Sequence, residues 1–216
     1  MPERFRNRTE AGRRLADALG GYAGAPDVLV LALPRGGVTV GAEVARRLHA
    51  PLDAILVRKL GVPGHEELAM GAIASGGVRI LSDEIIGALG ISDREIAAVA
   101  AAEQDELNRR ERAYRGARAP TPVEGRTVIL VDDGLATGST MRAAAAAIRS
   151  QGPRRLVVAV PVAPAATCRE LRGEVDEVIC ASTPEPFHSV GEWYEDFSPT
   201  SDDEVRRLLG AAEDRR

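Results

Sequence analysis

The chain has 216 residues, of which 44% are hydrophobic and 28% charged, which is typical of a globular protein large enough to bury a sizeable core. Its formal net charge of −4 argues against a protein whose main work is to bind nucleic acid. No apolar run reaches membrane-spanning length, and residues 1–16 lack the apolar centre of a signal peptide. We therefore expect a soluble cytoplasmic protein without a membrane partner.

The first predicted element is a basic helix over residues 4–19, with Thr9 as its N-cap and Gly20-Gly21 as its stop. Two interpretations of the arginines in residues 4–14 are open. They can form a solvated arm, which we favour because runs of charge usually face solvent. They can instead form a rim over an active site and help to hold an anionic ligand.

A strand over residues 27–33 is followed directly by Pro34, Arg35, Gly36 and Gly37, which lead into the next helix. The glycines expose backbone N–H groups at a helix N-terminus, where the helix dipole favours an anion. Arg35 adds a guanidinium that can donate several hydrogen bonds. This corner is therefore a candidate anion site.

A third strand over residues 52–57 leads into residues 58–67, where glycines and a proline among charged residues predict a loop. Its position after a strand makes this loop a neighbour of the candidate anion site. His65 can exchange protons near neutral pH, but a lone histidine among charged residues is usually solvated, and we assign it no role.

Residues 64–118 are predicted to form a helical insertion. It begins with a β-hairpin over residues 68–81 and a short helix. A capping box from Ser92 to Glu95 then opens a long helix that runs to about residue 115. A lid, a dimer contact and a plain insertion remain open as roles for this helix.

The most informative stretch is VILVDDGLATGST, which spans residues 128–140. A short apolar strand ends in Asp132 and Asp133, and a loop of small residues then opens an alanine-rich helix. The N–H groups and hydroxyls of the loop predict an anion site, and the carboxylates can accept hydrogen bonds from sugar hydroxyls, directly or through Mg²⁺. The loop lacks the lysine of a Walker A motif and the spacing of a dinucleotide-binding loop. The alternative is an ordinary strand–turn–helix corner with solvated acids, which we disfavour because acids, glycines and hydroxyls occur together.

Strands at residues 155–160 and 175–181, with a helix between them, complete a βαβαβ series and predict an α/β fold with a doubly wound parallel sheet. Cys168 and Cys180 have neither a metal-binding nor a redox spacing, so two reduced core thiols are expected. The loop at residues 183–197 holds the only tryptophan. Its aromatic residues either pin the C-terminal segment to the core or line a cleft for a flat ring.

The strand, Asp-Asp pair and small-residue loop together resemble the phosphoribosyl pyrophosphate (PRPP) motif of type I phosphoribosyltransferases, and the Arg35 corner resembles the pyrophosphate loop of that family. The resemblance covers residues 27–57 and 126–181. It implies a type I phosphoribosyltransferase fold in one domain over residues 1–216, with the helical insertion and a small hood. The hood would consist of the N-terminal arm and residues 183–200.

The resemblance also implies roles for individual residues. Asp132 and Asp133 would hold the ribose and, directly or through ribose and water, Mg²⁺, and Arg35 and Lys59 would act with them in catalysis. The residues implied to bind the 5′-phosphate are Ala136, Thr137, Gly138, Ser139 and Thr140. The residues implied to bind pyrophosphate are Arg35, Gly36, Gly37, Arg58 and Lys59. The aromatic residues implied to contact the base are Phe187, Trp193 and Tyr194.

Two positions depart from the family pattern. Many members have a β-branched apolar residue where Gly134 stands, and an acid or a threonine where Ala136 stands. The acid is commonly credited with stabilising positive charge on the reacting sugar or base, a contribution that Ala136 cannot make.

The reaction implied by the resemblance is displacement of pyrophosphate from Mg²⁺–PRPP by a purine-like or pyrimidine-like base, through an oxocarbenium-like sugar. Positioning and electrostatics would supply most of the catalysis. A PRPP-sensing regulator without transferase activity and a phosphate-ester hydrolase on the same scaffold are the alternatives. The expected partners are PRPP and a small-molecule base, and homodimers are frequent in this family.

Overall fold

The computed structural model describes residues 4–116 and 118–213, so residues 1–3, 117 and 214–216 of the predicted domain lie outside the description. The strands are β1 (Val28–Ala32), β2 (Leu52–Ala54), β3 (Val57–Val62), β4 (His65–Ala74), β5 (Val78–Leu81), β6 (Thr127–Val131), β7 (Arg155–Val162) and β8 (Glu177–Ser182). The helices are α1 (Arg8–Ala18), α2 (Gly36–Leu48), α3 (Asp83–Leu89), α4 (Asp93–Arg115), α5 (Ser139–Arg149), α6 (Ala165–Leu171) and α7 (Asp202–Glu213).

A five-stranded parallel sheet in the order β2-β1-β6-β7-β8 forms the centre of the molecule, which confirms the predicted doubly wound α/β fold. Every residue of β1 and β6 is buried, because helices cover both faces of the sheet. On one face the strands pack with α1, α2 and α7, and on the other with α5 and α6. This two-sided burial explains the uninterrupted apolar runs in the sequence.

A second sheet, antiparallel and in the order β3-β4-β5, fills the start of the insertion. The predicted loop over residues 58–67 is therefore wrong, since these residues form most of β3, a tight turn and the start of β4. Gly64 at the turn has a φ of 78°, which glycine adopts without strain. Leu60 and Met70 are fully buried and belong to the same hydrophobic cluster as residues of β1 and α2, so the small sheet shares the core of the parallel sheet. The predicted hairpin is confirmed, with one further strand beside it.

The predicted strand over residues 52–57 is divided between the two sheets. Leu52 pairs with Val30 of the parallel sheet, whereas Val57 pairs with Ala74 of the antiparallel one. Residues 54–57, which cross the division, are all apolar, so no residue pattern marks it.

The insertion is fastened to the parallel sheet by a buried ion pair between α4 and β2. Arg115 Nε lies 2.8 Å from Asp53 Oδ1, and the side chains are 3% and 7% exposed. The other oxygen of Asp53 accepts hydrogen bonds from the backbone N–H and the hydroxyl of Thr121, each at 2.9 Å. Burial alone would raise the pKa of Asp53, but the Arg115 charge and these hydrogen bonds hold it below its ordinary value.

Two local expectations are corrected. Helix α1 is capped by Asn7 and not by Thr9, because the Asn7 side chain accepts the Glu10 N–H at 3.0 Å. Cys168 and Cys180 are joined in a disulfide and are not two free thiols. The chain turns back between α6 and β8, which brings these residues together although they are 12 positions apart. Among the described residues, no helix is long and apolar enough to cross a membrane.

Candidate active site

Strands β1 and β6 bring the two candidate anion corners together. Their register pairs Ala32 with Val131, so both strands end at the same edge of the sheet. The order of the sheet reverses direction at this pair, and crevices at such switch points are where open α/β sheets bind ligands. The Pro34–Gly37 corner follows β1 and the two aspartates follow β6, so the motifs predicted from separate parts of the sequence are neighbours.

The two corners are in direct contact through the glycines. A Cβ on Gly37 would lie 2.9 Å from both the Cα and Oδ1 of Asp132 and 3.0 Å from the Val131 carbonyl oxygen. A Cβ on Gly36 would overlap the carboxylate of Asp133. Glycine is needed here for close approach of two backbones, since any larger side chain would push the corners apart.

Two helices begin beside the aspartates, and neither has a side-chain cap. Helix α2 starts at Gly36 and α5 starts at Ser139 after Gly138, whose φ is 73°. The first N–H groups of an uncapped helix need acceptors, and the helix dipole makes an anion a favourable one. Thr137, Ser139 and Thr140 are exposed around the second of these helix starts. The arrangement offers two anion-binding points on either side of an acidic pair.

Asp132 and Asp133 are held in a largely buried, strongly polar corner. Asp132 Oδ1 accepts the Asp133 N–H at 2.8 Å. Burial raises the pKa of Asp132 well above its ordinary value, and the adjacent charge of Asp133 raises it further. Burial also raises the pKa of Asp133, while the guanidinium of Arg8 opposes that shift. The pair therefore resists carrying two negative charges until a cation or a hydroxyl donor binds.

Arg8 is the side chain that compensates this acidic pair. Its Nε lies 2.7 Å from Asp133 Oδ2, and the side chain is only 11% exposed. Our preferred interpretation of the N-terminal arginines as a solvated arm is therefore wrong for Arg8, although it holds for Arg6, which is 73% exposed. The alternative interpretation, a rim over the active site, is the correct one for Arg8. No residue pattern in the sequence distinguishes Arg8 from the neighbouring arginines.

Residues 190–198 and the N-terminal arm form one unit over Asp133. Phe5 and Tyr194 form an isolated parallel bridge, and the Phe5 N–H donates to the Trp193 carbonyl at 2.9 Å. The Tyr194 hydroxyl donates to the backbone oxygen of Asp133, and its ring is buried between Phe5 and Phe197. Burial, followed by the charge of Asp133, raises the pKa of Tyr194. Among the three predicted base contacts, Tyr194 is thus occupied in holding the hood to the acidic corner.

The other two predicted base contacts lie in the same hood. Phe187 and Trp193 are half-buried and stack with ring centroids 6.3 Å apart. Trp193 Nε1 is buried and has no hydrogen-bond partner among the described residues. A buried indole N–H normally finds an acceptor, so this atom is a free donor beside a stacked aromatic pair.

The predicted cationic residues lie at different depths around the site. Arg35 is 51% exposed and reaches Asp202 of α7 at 3.8 Å. Arg58 is held at 2.6 Å by Glu103 of α4. It lines a small cavity with Pro34 and Thr140, at the carboxyl ends of the central strands. Lys59 is exposed and is the next residue along β3, so it points to the opposite face of that strand from Arg58.

The two departures from the family pattern have structural counterparts. A Cβ on Gly134 would lie 2.5 Å from Val190 Cγ1, so the hood valine fills the space that a side chain at residue 134 would take. Ala136 is exposed, and its carbonyl accepts the Thr167 hydroxyl at 2.9 Å. The loop is thus fixed through its backbone. Beyond it, the Thr137 hydroxyl makes 3.4 Å hydrogen bonds with the N–H and the hydroxyl of Ser139, and all three groups lie on exposed residues.

Asp132 and Asp133 could bind Mg²⁺ only together with oxygen atoms of a bound ligand. Among the described residues no group of three or more His, Cys, Asp or Glu side chains could hold a metal ion. Mg²⁺ is commonly bound by one or two carboxylates together with substrate phosphates and water, and Asp132 and Asp133 match that requirement. A ligand with its own phosphate oxygens would complete the coordination.

Comparison with known proteins identifies the family. The model of the phosphoribosyl transferase domain matches residues 4–196. A provisionally named phosphoribosyl transferase of Mycobacterium tuberculosis is 45% identical over 208 residues, which cover 96% of this chain and 47% of that protein. This chain therefore spans about half the length of that relative. The bifunctional protein PyrR of Chloroflexus aurantiacus is 35% identical over 128 residues, which cover 57% of this chain and 63% of that protein.

A solved structure agrees over nearly the whole chain. The crystal structure of the protein TT1426 from Thermus thermophilus is 43% identical and superposes with a TM-score of 0.85, covering 95% of this chain and 97% of that one. The chain belongs to the type I phosphoribosyltransferase family and has its fold, as the motifs predicted.

Proposed function

We propose that this protein is a phosphoribosyltransferase that displaces pyrophosphate from Mg²⁺–PRPP with a nitrogenous base. The observation that carries the proposal is the contact between the two corners. Gly37 touches Asp132, and Gly36 touches Asp133, at the uncapped start of α2. The second uncapped helix start, at Gly138 and Ser139, follows the same aspartates along the chain.

PRPP has the chemistry that this arrangement requires. The 5′-phosphate would accept hydrogen bonds from the N–H groups and hydroxyls of residues 136–140, at the start of α5. The ribose hydroxyls would donate to Asp132 and Asp133. The pyrophosphate would lie at the start of α2, beside Gly36, Gly37 and the exposed guanidinium of Arg35, with Arg58 approaching from β3. Lys59 lies on the opposite face of that strand and would not reach the pyrophosphate in this arrangement. When bound, Mg²⁺ would neutralise charge on the pyrophosphate oxygens.

The protein would accelerate the transfer by holding charges and reacting atoms in place. As the bond between the sugar and pyrophosphate breaks, negative charge would grow at the start of α2, where the first N–H groups of the helix and its dipole would stabilise it. Positive charge grows on the sugar, above the acidic pair. The stacked rings of Phe187 and Trp193 would hold the base flat.

The test is calorimetric titration of the purified protein with PRPP, with and without Mg²⁺, beside the double variant Asp132→Asn/Asp133→Asn. We expect Mg²⁺-dependent binding by the wild type and none by the variant. A screen of purines and pyrimidines for pyrophosphate release, with detection of the nucleotide, then identifies the acceptor.

The outcomes separate the candidate functions. Pyrophosphate release that requires a base supports the transferase. Tight PRPP binding with no turnover on any base supports a PRPP sensor, and release of ribose phosphates without a base supports a hydrolase. Failure of the folded wild type to bind PRPP would overturn the proposal.

A further inference from the structure

Arg8 lies at the point where the two corners meet, although it comes from the N-terminal arm. Its Nε is 2.7 Å from Asp133 Oδ2 and also 2.7 Å from the position that a Cβ on Gly36 would occupy. The guanidinium therefore touches both the acidic pair and the start of α2.

The guanidinium is fixed before any ligand binds. Its Nη1 donates to the Ser198 carbonyl at 2.7 Å, and its Cζ lies 4.0 Å above the centre of the Phe197 ring. By contrast, Arg35 is half exposed, and its guanidinium lies 3.8 Å from the carboxylate of Asp202. A group held by packing and hydrogen bonds loses little entropy when it binds an anion.

Arg8 also has N–H donors without partners among the described residues. A guanidinium has five N–H donors, and only two of those of Arg8, one on Nε and one on Nη1, have partners among the described residues. The remaining donors belong to a cation beside the uncapped start of α2. Oxygens of a bound diphosphate group are suitable acceptors for such a set, because guanidinium groups bind phosphates in paired hydrogen bonds.

We propose that Arg8 is a binding residue for the pyrophosphate group of PRPP, an inference that rests on the proposed function. One N–H of Arg8 stays on Asp133 and keeps the carboxylate in place, while the unused N–H groups bind the pyrophosphate. The N-terminal arm thereby becomes part of the active site, and it links the pyrophosphate end to the aromatic hood through Phe197.

The experiment measures the dissociation constants of three ligands for the wild type and three variants. The ligands are Mg²⁺–PRPP, Mg²⁺–pyrophosphate and ribose 5-phosphate, which lacks the pyrophosphate. The variants are Arg8→Gln, Arg8→Lys and the matched control Arg6→Gln, which removes an exposed arginine from the same arm. Thermal melting of each variant checks that it is folded.

We expect Arg8→Gln to weaken PRPP and pyrophosphate binding at least about tenfold while ribose 5-phosphate changes by less than about twofold. Arg8→Lys keeps the charge but not the fork of donors, so it should lie between Arg8→Gln and the wild type, and it carries the test if Arg8→Gln does not fold. Arg6→Gln should bind all three ligands like the wild type.

Other patterns of dissociation constants would contradict the role of Arg8, the proposed function, or both. Equal loss of ribose 5-phosphate and PRPP affinity, with pyrophosphate unchanged, would mean that Arg8 only positions Asp133. Unchanged PRPP binding in both Arg8 variants would refute the inference and leave the proposed function standing. If the wild type binds pyrophosphate but not PRPP, the proposed function falls and the pyrophosphate constants still decide the role of Arg8. If the wild type binds neither ligand, both proposals fall.

Discussion

The edge of the parallel sheet and the insertion differ in whether their helix starts are capped and their buried charges are paired. In the insertion, α3 and α4 begin with serine caps, and Ser92 and Glu95 cap each other's backbone N–H groups. The buried Arg115 is shared by Asp53, Ser75 and Glu111. At the sheet edge, α2 and α5 begin without caps, and burial raises the pKa of both aspartates.

This contrast supports the proposal that the edge of the parallel sheet binds a ligand. Groups that serve only the fold are satisfied within the fold, because an unpaired buried polar group costs about 1–3 kcal/mol. At the sheet edge, by contrast, two helices begin without a side-chain cap and two buried carboxylates lie side by side, and a bound ligand would offset the free-energy cost of that arrangement. Substitutions in the two regions should therefore have different signatures, with binding lost at one and stability lost at the other.

Among single substitutions, the largest expected loss of binding is that of Gly37→Ala. The added Cβ would meet the Asp132 backbone at 2.9 Å and separate the two corners, so PRPP affinity should fall about 100-fold, as is typical of a misplacement of a binding group by about 1 Å. Calorimetric titration with Mg²⁺–PRPP measures the loss.

The control Gly87→Ala adds a Cβ to α3 where no atom lies within 4 Å. It should leave affinity unchanged and stabilise the helix by about 0.5–1 kcal/mol. Similar affinities for the two variants would contradict the contact between the corners.

Asp53→Asn should produce the largest loss of stability. The change removes one charge of a buried pair and should cost about 3 kcal/mol, or roughly 6–12 °C in Tm for a domain of this size. The folded-state pKa of Asp53 is depressed, so its contribution is present above the unfolded-state pKa and lost as pH falls through the folded-state value. Melting curves of wild type and variant should therefore converge in acid.

Glu111→Gln, which removes the more exposed partner of Arg115, should cost less than about 1 kcal/mol. If Asp53→Asn lowers the free energy of unfolding no more than Glu111→Gln does, the ion pair of Asp53 with Arg115 does not attach the insertion to the parallel sheet.

Gly134→Val restores the residue type that many family members have and should be destabilising here. Its Cβ would lie 2.5 Å from Val190 Cγ1, and overpacking of this kind typically costs about 1–3 kcal/mol. The double variant Gly134→Val/Val190→Ala should regain most of that loss, because alanine vacates the space. Chemical denaturation of the four proteins in the cycle measures the coupling. Additive effects of the two substitutions would show that the hood valine does not substitute for the missing side chain.

The smallest effect, and one of opposite sign, is expected for Asp132→Asn. The folded-state pKa of Asp132 is raised, so the wild type is most stable below the unfolded-state pKa and loses stability as pH rises through the folded-state value. Removal of the charge should therefore raise Tm by a few degrees at about pH 8, since about 1 kcal/mol corresponds to roughly 2–4 °C, and the gain should vanish near about pH 4. Melting curves across this pH range test the sign. A Tm that falls at the alkaline end would mean that the acidic pair stabilises the fold.

The parallel sheet and the two anion corners could be predicted from the residue order alone. Both depend on short-range patterns: a β-branched apolar run predicts a strand buried on two faces, and glycines after it predict an exposed helix start. The capping box at Ser92 and Glu95 was predictable for the same reason, since its partners are three residues apart. These features follow from local sterics and hydrogen bonding, so neighbouring residues are enough to specify them.

Contacts between distant segments became visible only in the folded molecule. Arg8 and Asp133 are 125 positions apart, and nothing around Arg8 distinguishes it from the exposed Arg6. The division of residues 52–57 between two sheets, the disulfide of Cys168 with Cys180, and the filling of the space at Gly134 by Val190 are of the same kind. Each depends on which surfaces meet when the core packs, and packing is a property of the whole chain that no local pattern of residues encodes.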